Sequence, residues 1–313
     1  MNADLGLVSV VVATNRSSPY LAEALDSVVT QTYPSWELVI VDNGVPDPDA
    51  LADLVAGVSR AKVVHVPPPV TVSLARNAGV EASVGDLVVF LDDDDVWHPR
   101  RLERQVSLLK DDRSAPASYC GGWHMDAAGR PFDPAWPAEP ARADEMLAGR
   151  ARMPHICGAM LIRREAFAEV GGFSPELSMM EDFELALRLL SRGTFACAPD
   201  ELVGYRRHDG NATSTAIDNV RLRREAVDGI LARHAWAADA RGDSRTAQLL
   251  REHRSRERAR AAHDAGLATL AALRRGRFAE AGREAAWGVT GAAGAYFGAI
   301  VGRLARKGTS RHR

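Results

Sequence analysis

One pattern repeats through roughly the first hundred of the 313 residues, and it limits the fold more than any other feature. A strand-length apolar run is followed by a segment of helical period, and the pair then recurs. Leu7–Ala13 is apolar and β-branched, as expected of a strand covered on both faces. Trp36–Val41, Ala61–Val66 and Asp86–Leu91 read as three further strands. Between them, Pro19–Thr32 places Leu21, Leu25, Val28 and Val29 on one helical face, and Asp49–Val58 and Val72–Ala82 also read as helices. Pro67-Pro68-Pro69 breaks the chain after the third strand. A βαβαβαβ order predicts an α/β fold, a mostly parallel sheet with helices on both faces. Ligands of such sheets bind outside the carboxyl ends of the strands. Thr14, Asp42 and the run Asp92-Asp93-Asp94-Asp95 all stand at such ends.

Farther along, Pro99–Leu109 is an amphipathic helix and Ala117–Trp123 a strand. Residues 125–153 turn to Pro, Ala, Gly and acid with little periodicity, the composition of a surface excursion where substrate loops lie. Cys157–Arg163 reads as a strand and Arg164–Val170 as a short helix. Met180–Ser191 is a helix with Phe183, Leu187 and Leu190 on one side, and Thr194–Ala198 and Leu202–Arg206 are short strands. From about Ile217 the chain is helical and rich in Ala and Arg, with a break at Arg241-Gly242-Asp243, and segments 246–273 and 278–306 are spaced to pair as a hairpin. Charge divides at the same place. Residues 1–215 carry 19 Lys and Arg against 31 Asp and Glu, whereas 216–313 carry 20 against 10. The expected organisation is therefore a binding domain over 1–216 and a basic helical extension over 217–313.

The N-terminal stretch lacks the basic start and long apolar core of a signal peptide. No apolar stretch suits a membrane span. The nearest, Ala285–Gly302, is built of Gly and Ala and reads as a packed or interfacial helix. Cys120, Cys157 and Cys197 are far apart and lack metal-ligand spacing, so they are expected to be buried thiols in a reducing cytoplasm.

Four segments carry residues with chemical potential. The run Asp92–Asp95 concentrates like charge, which a hard divalent cation would neutralise through carboxylate oxygens and substrate phosphates. The competing reading is a solvated acidic turn at a helix start. An EF-hand loop matches at Asp92, Asp94 and Glu103 but fails at Val96 and Trp97. Arg76, near a helix N-terminus, is either a phosphate contact or a surface arginine. Glu181 and Asp182 open a helix, either as dipole-favoured acids or as a general base for an acceptor hydroxyl. His208, among arginines just past a strand, is either structural or a ligand to a metal or phosphate.

Taken in order, these segments resemble the family 2 glycosyltransferases. The matching text is VSVVVATNRSSPYLAEALDSVVTQTYPSWELVIVDNG, VSLARNAGVEASVGDLVVFLDDDDVWHPRRLERQ, GAMLIRREAFAEVGGFSPELSMMEDFELALRLLSRG and YRRHDGNAT, within about residues 7–215. The resemblance implies a GT-A, Rossmann-like fold and places roles on particular residues. Thr14 and Asp42 would line the nucleoside pocket, and Arg76, Asp92 and Asp93 would contact the donor. Asp94 would ligate the metal, with Asp92 and His208 as further ligands. Asp182 stands at the position of the catalytic base, with Glu181 beside it. This chain departs from the family pattern at Ala13, where Pro is usual, at Asn15-Arg16, where Tyr-Asn is usual, at Asn43, where a second Asp is usual, and at Pro67-Pro68-Pro69.

The activity implied is inverting, Mn²⁺- or Mg²⁺-dependent transfer of a sugar from a nucleotide-diphosphate sugar, with UDP as the expected nucleotide. The acceptor would be a saccharide or a lipid-linked molecule of cell-envelope polysaccharide or glycoconjugate synthesis. No nucleic-acid partner is expected. A nucleotidyltransferase would need a Gly-rich loop where Ala13-Thr14-Asn15-Arg16 stands, and a non-catalytic nucleotide-binding scaffold would have no use for Asp92, Asp94 and Asp182. The basic extension reads either as a helical cap or homodimer contact, or as a peripheral attachment to an anionic membrane. In the second case Tyr296, Phe297 and Ile300 would supply the apolar contact, and the protein would work in the cytoplasm at the inner face of the plasma membrane.

Overall fold

The computed structural model of this chain describes residues 6–309 apart from 17, 59, 155–156 and 212–216, and leaves out the side chains of 133–134, 217–219 and 302–309. The first five residues, and Ala212 and Thr213 of the last matching segment, lie outside the described residues. Two compact units form, one from 1–146 with 151–216 and one from 147–150 with 217–313.

The first unit contains strands β1 (Val8–Thr14), β2 (Trp36–Asp42), β3 (Ala61–His65), β4 (Leu87–Asp92), β5 (Val96–Trp97), β6 (Ala117–Met125), β7 (Pro131–Trp136), β8 (Met160–Arg163) and β9 (Ala196–Arg206). Its helices are α1 (Leu21–Val29), α2 (Pro48–Ala56), α3 (Val72–Ala82), α4 (Arg101–Asp111), α5 (Ala143–Leu147), α6 (Arg164–Glu169) and α7 (Glu181–Leu190). The sheet runs β3-β2-β1-β4-β8-β6-β9-β5, with β7 paired to β6. The four strands read from the alternating pattern are parallel; β1, β2 and β4 bury both faces at the centre, as Val10 and Val11, Val39 and Ile40, and Val88 and Val89 show, whereas β3 at the sheet edge is only half-buried. β8 then enters antiparallel to both β4 and β6, while β6 and β9 run parallel.

Register decides what lies at the ligand edge. Thr14 pairs with Asp42, and Ala13 with Asp92, so the ends of β1, β2 and β4 are level. The chain order turns around between β1 and β4, which places the crevice of a doubly wound sheet at these residues. On the opposite face α3 lies so close to β1 that a Cβ on Gly79 would stand 2.4 Å from a Val11 methyl, so only glycine fits there.

Local expectations needed several adjustments. Residues 125–153 contain β7 and α5, and the two short strands at 194–206 are one strand, β9. Cys157–Ala159 forms a 3-10 turn, so β8 begins only at Met160. Helix α1 buries Ala24 in place of Val29, which is 47% exposed. Cys120 and Cys157 are buried thiols as expected, while Cys197 is half-buried.

The second unit comprises α8 (Ile217–Ala240), α9 (Ser244–Arg274) and α10 (Phe278–Thr309). The polar break lies at Gly242, in the left-handed region at φ +77°, and Asp243 then caps α9 by accepting from the Thr246 N–H. α9 and α10 pack together as the expected hairpin, α10 being interrupted at Ala292. Tyr296 is only 4% exposed: its ring packs against Gly288 and its hydroxyl donates to Thr269 Oγ1 at 3.2 Å. Tyr296 is therefore hairpin core and cannot serve as an outward apolar contact, whereas Phe297 is exposed. Among the described residues no helix is long and apolar enough to cross a membrane.

Candidate functional site

The acidic run folds as a tight turn between β4 and β5, and each of its four carboxylates meets a different environment. Asp92 closes β4 and pairs with Arg76 at 2.6 Å. Asp93 is buried and fully engaged: it accepts from the Thr14 hydroxyl at 2.7 Å and from Arg16 through both Nε and Nη2. Asp94 Oδ2 accepts from Arg16 Nη2 at 2.6 Å and lies 3.0 Å from His208 Nε2. Asp95 Oδ1 accepts from the Arg206 N–H, and its buried Oδ2 has no partner among the described residues. Burial, followed by Asp92 and Asp94, pushes the Asp95 carboxyl well above the ordinary range. Burial, then Asp92 and Asp93, raises Asp94 too, against the hydrogen bonds from Arg16 and His208.

The arginines that balance this run come from distant segments. Arg206, at the end of β9, is fully buried: its Nε donates to the Asp94 carbonyl, its Nη2 pairs with Glu23 of α1, and its guanidinium lies over the Tyr20 ring. Arg16 follows β1, and its Nη1 also donates to the Gly210 carbonyl at 3.2 Å. Neither arginine stood out in the sequence as part of the site. The departure from Tyr-Asn at Asn15-Arg16 was the available signal for Arg16.

Arg76 is not open to a phosphate. It lies in the second turn of α3, 5% exposed, and bridges Asp92 to Glu181 at 2.6 and 2.8 Å with its guanidinium over the Phe173 ring. Its neighbours extend the same tie. Ser73 Oγ donates to the Leu177 carbonyl, while Asn77 exchanges two hydrogen bonds with the Phe173 backbone. The Ser73–Asn77 segment thus fastens the loop that delivers α7 to the strand ends.

That loop ends in strain. Met180, directly before Glu181, sits in the left-handed region at φ 61°, the one non-glycine to do so among the described residues. The turn sends Glu181 to Arg76 and leaves Asp182 beside it. Asp182 Oδ1 accepts from the Phe183 N–H, and Oδ2 makes no hydrogen bond among the described residues. Burial, and then the Glu181 carboxylate, push the Asp182 carboxyl up to about 6. Two adjacent acids are thereby differentiated: one is held as the partner of an arginine and the other retains proton affinity.

At the β2 end, Asp42 Oδ1 accepts from the Gly44 and Val45 N–H groups, and Oδ2 pairs with exposed His65 at 2.9 Å. Burial opposes ionisation here, but the two backbone donors and His65 outweigh it and hold the carboxyl below the ordinary range. Thr14 has its hydroxyl committed to Asp93 and the Arg16 carbonyl. It forms the floor of the site, in place of the expected open nucleoside contact.

The donor set suits a hard divalent cation only in part. No group of three or more metal-type side chains is assembled among the described residues. Mg²⁺ and Mn²⁺ can bind through one or two carboxylates plus substrate phosphates, and Asp94 Oδ1, with Asp92 nearby, meets that need. His208 does not. The Gly210 N–H donates to His208 Nδ1 at 3.1 Å, so the ring proton lies on Nε2 and is donated to Asp94. A ligating histidine ordinarily donates from its second nitrogen. In this arrangement His208 donates to Asp94 and orients it.

The family model described as Glycosyl transferase family 2 matches residues 9–171, just over half of the chain. A Bacillus subtilis protein, TuaG, named as a teichuronic acid biosynthesis glycosyltransferase, is 29% identical over 214 residues, which cover 67% of this chain and 82% of that one. The Escherichia coli glucosyltransferase WfgD, named for UDP-Glc and a GlcNAc-diphosphoundecaprenol acceptor, is 30% identical over 103 residues, covering 33% and 41%. Among solved structures, Staphylococcus aureus TarS residues 1–349 with UDP-GlcNAc superimposes with a TM-score of 0.61 at 19% identity, covering 79% of this chain and 72% of that one.

Proposed function

The chain belongs to glycosyltransferase family 2, with the GT-A fold, and from that premise we propose that it moves a sugar from a UDP-sugar to a hydroxyl of a saccharide or lipid-linked acceptor, with inversion, in cell-envelope polysaccharide or glycoconjugate synthesis. The observation that carries the reading is Asp182 at the start of α7, its carboxyl raised to about 6 and its Oδ2 without a hydrogen bond among the described residues, with Arg76 connecting its neighbour to the end of β4. A carboxylate so tuned accepts the proton of an attacking hydroxyl near neutral pH. Glu181 and Arg76 hold it in place. Asp42 receives the nucleobase, while Thr14, Asp93 and Arg206 support the turn that presents Asp92 and Asp94 to the donor. A divalent cation, Mn²⁺ or Mg²⁺, held by Asp94 with Asp92 beside it, would supply positive charge for the leaving diphosphate. The UDP assignment is supported by the nucleotides named for TarS and WfgD.

For the basic extension the reading is peripheral contact with an anionic membrane, on its cytoplasmic side. At the α9–α10 turn, exposed Leu273 and Phe278 flank Arg274, Arg275 and Arg277, a pairing of apolar and cationic groups that suits such a surface. The function is tested by screening UDP-sugars for Mn²⁺-dependent binding and for hydrolysis or transfer. Activity toward no nucleotide-sugar, with or without acceptor lipid, would remove the enzymatic reading.

A further inference from the structure

Arg16 is, among the described residues, the one side-chain cation that touches two adjacent carboxylates of the acidic turn. Its contacts divide into an anchor and an exchangeable bond. Nε and Nη2 grip the two oxygens of Asp93, a fork-to-fork pairing whose carboxylate is buried. Nη2 also reaches Asp94 Oδ2, and Nη1 reaches the Gly210 carbonyl in the loop that carries His208. The Arg16 side chain is more than a third exposed, so it can turn without unpacking a core. The charge that a divalent ion would bring to Asp94 is thus already present on the protein.

We propose that Arg16 is an internal counter-cation that competes with a divalent ion for Asp94 and so sets the metal affinity of the site. The proposal rests on the reading of Asp94 as the metal-holding carboxylate. While the guanidinium stays on Asp94, an arriving ion meets a half-neutralised carboxylate and a like charge beside it. Once the ion is held, Arg16 keeps its fork on Asp93 and gives up Asp94. Its freed Nη2 N–H then faces the anionic diphosphate that accompanies the ion. Metal and donor are therefore linked: each makes room for the other through one side chain. The departure at Asn15-Arg16 becomes a device of this chain, because an uncharged Asn there could not perform it.

The test is Mn²⁺ titration of the full-length protein without nucleotide, followed by electron paramagnetic resonance, comparing wild type with Arg16→Gln and Arg16→Lys. Thermal melts establish that each variant is folded. Arg16→Gln is expected to bind Mn²⁺ about tenfold more tightly or better, the size of one charge-assisted contact removed. Arg16→Lys keeps the charge but cannot span both carboxylates, and it should fall between the two. Equal or weaker Mn²⁺ binding by Arg16→Gln, with wild type binding measurably, overturns the competition and leaves the metal site standing. Absence of Mn²⁺ binding in all three proteins overturns the metal reading and this proposal together.

Discussion

Replacing Asp182 by Asn removes a proton acceptor while keeping size, and its consequences separate catalysis from binding. The Asp182 carboxyl is raised from 3.8 to about 6, first by burial and then by Glu181. As a general base it must be ionised, so turnover should rise with pH through about 6 and level off above it. In Asp182→Asn, turnover should fall by about 10²–10⁴ and the pH-dependent rise should vanish. The same shift acts on stability with a definite sign. Between pH 3.8 and about 6 the folded chain holds a proton that the unfolded chain has lost, so stability falls as pH rises through that window. The full shift corresponds to roughly 3 kcal/mol, and partial exposure of the carboxylate reduces this to about 1–2 kcal/mol. Asp182→Asn should therefore melt a few degrees higher than wild type at pH 8, with no gain at pH 4. The assays are UDP release for turnover, calorimetric titration of the UDP-sugar for donor affinity, and melting curves at both pH values. Donor affinity falling as far as turnover would make Asp182 a binding residue, and a wild-type rate flat from pH 5 to 8 would refute its titration in catalysis.

Three further outcomes follow from the same geometry. Asp94→Asn should lose about 10²–10³ in turnover, and full activity in that variant, or of wild type in EDTA, would eliminate the metal assignment. Arg76→Met leaves Glu181 without its buried partner while half-exposed Asp92 turns to solvent, and should cost about 1–3 kcal/mol in urea unfolding, whereas an unchanged midpoint would show that the bridge carries little. Full-length protein should sediment with anionic liposomes at low salt and less at high salt, and Leu273→Ser with Phe278→Ser should weaken this. Equal sedimentation of that double variant and wild type would move the contact elsewhere, and no sedimentation of wild type would end the membrane reading.

Much of this protein was written locally. The near-continuous apolar runs within Val8–Thr14, Trp36–Asp42 and Leu87–Asp92 are legible because a strand buried on both faces needs apolar side chains at nearly every position. Their polar end residues, Asp42 and Asp92, and the helix opening at Glu181-Asp182 could be located for the same reason: element boundaries are short-range properties. What those residues face was not local. Arg76 meets Glu181 across 105 positions, Arg16 meets Asp94 across 78 and Arg206 meets Glu23 across 183. Such pairings depend on strand register and helix docking, which no window of sequence contains. Tertiary structure therefore decided that Arg76 is a strut between two carboxylates, that Thr14 is committed to Asp93, and that His208 is a donor to Asp94. It also decided that Tyr296 points into its own hairpin, because the close approach of Gly288 leaves room for the ring. Residue types and periodicity specified the strands and the acids at their ends; the balance of charge around those acids arose only when distant arginines were brought to them, since a buried carboxylate takes its character from whatever the fold places within a few ångströms.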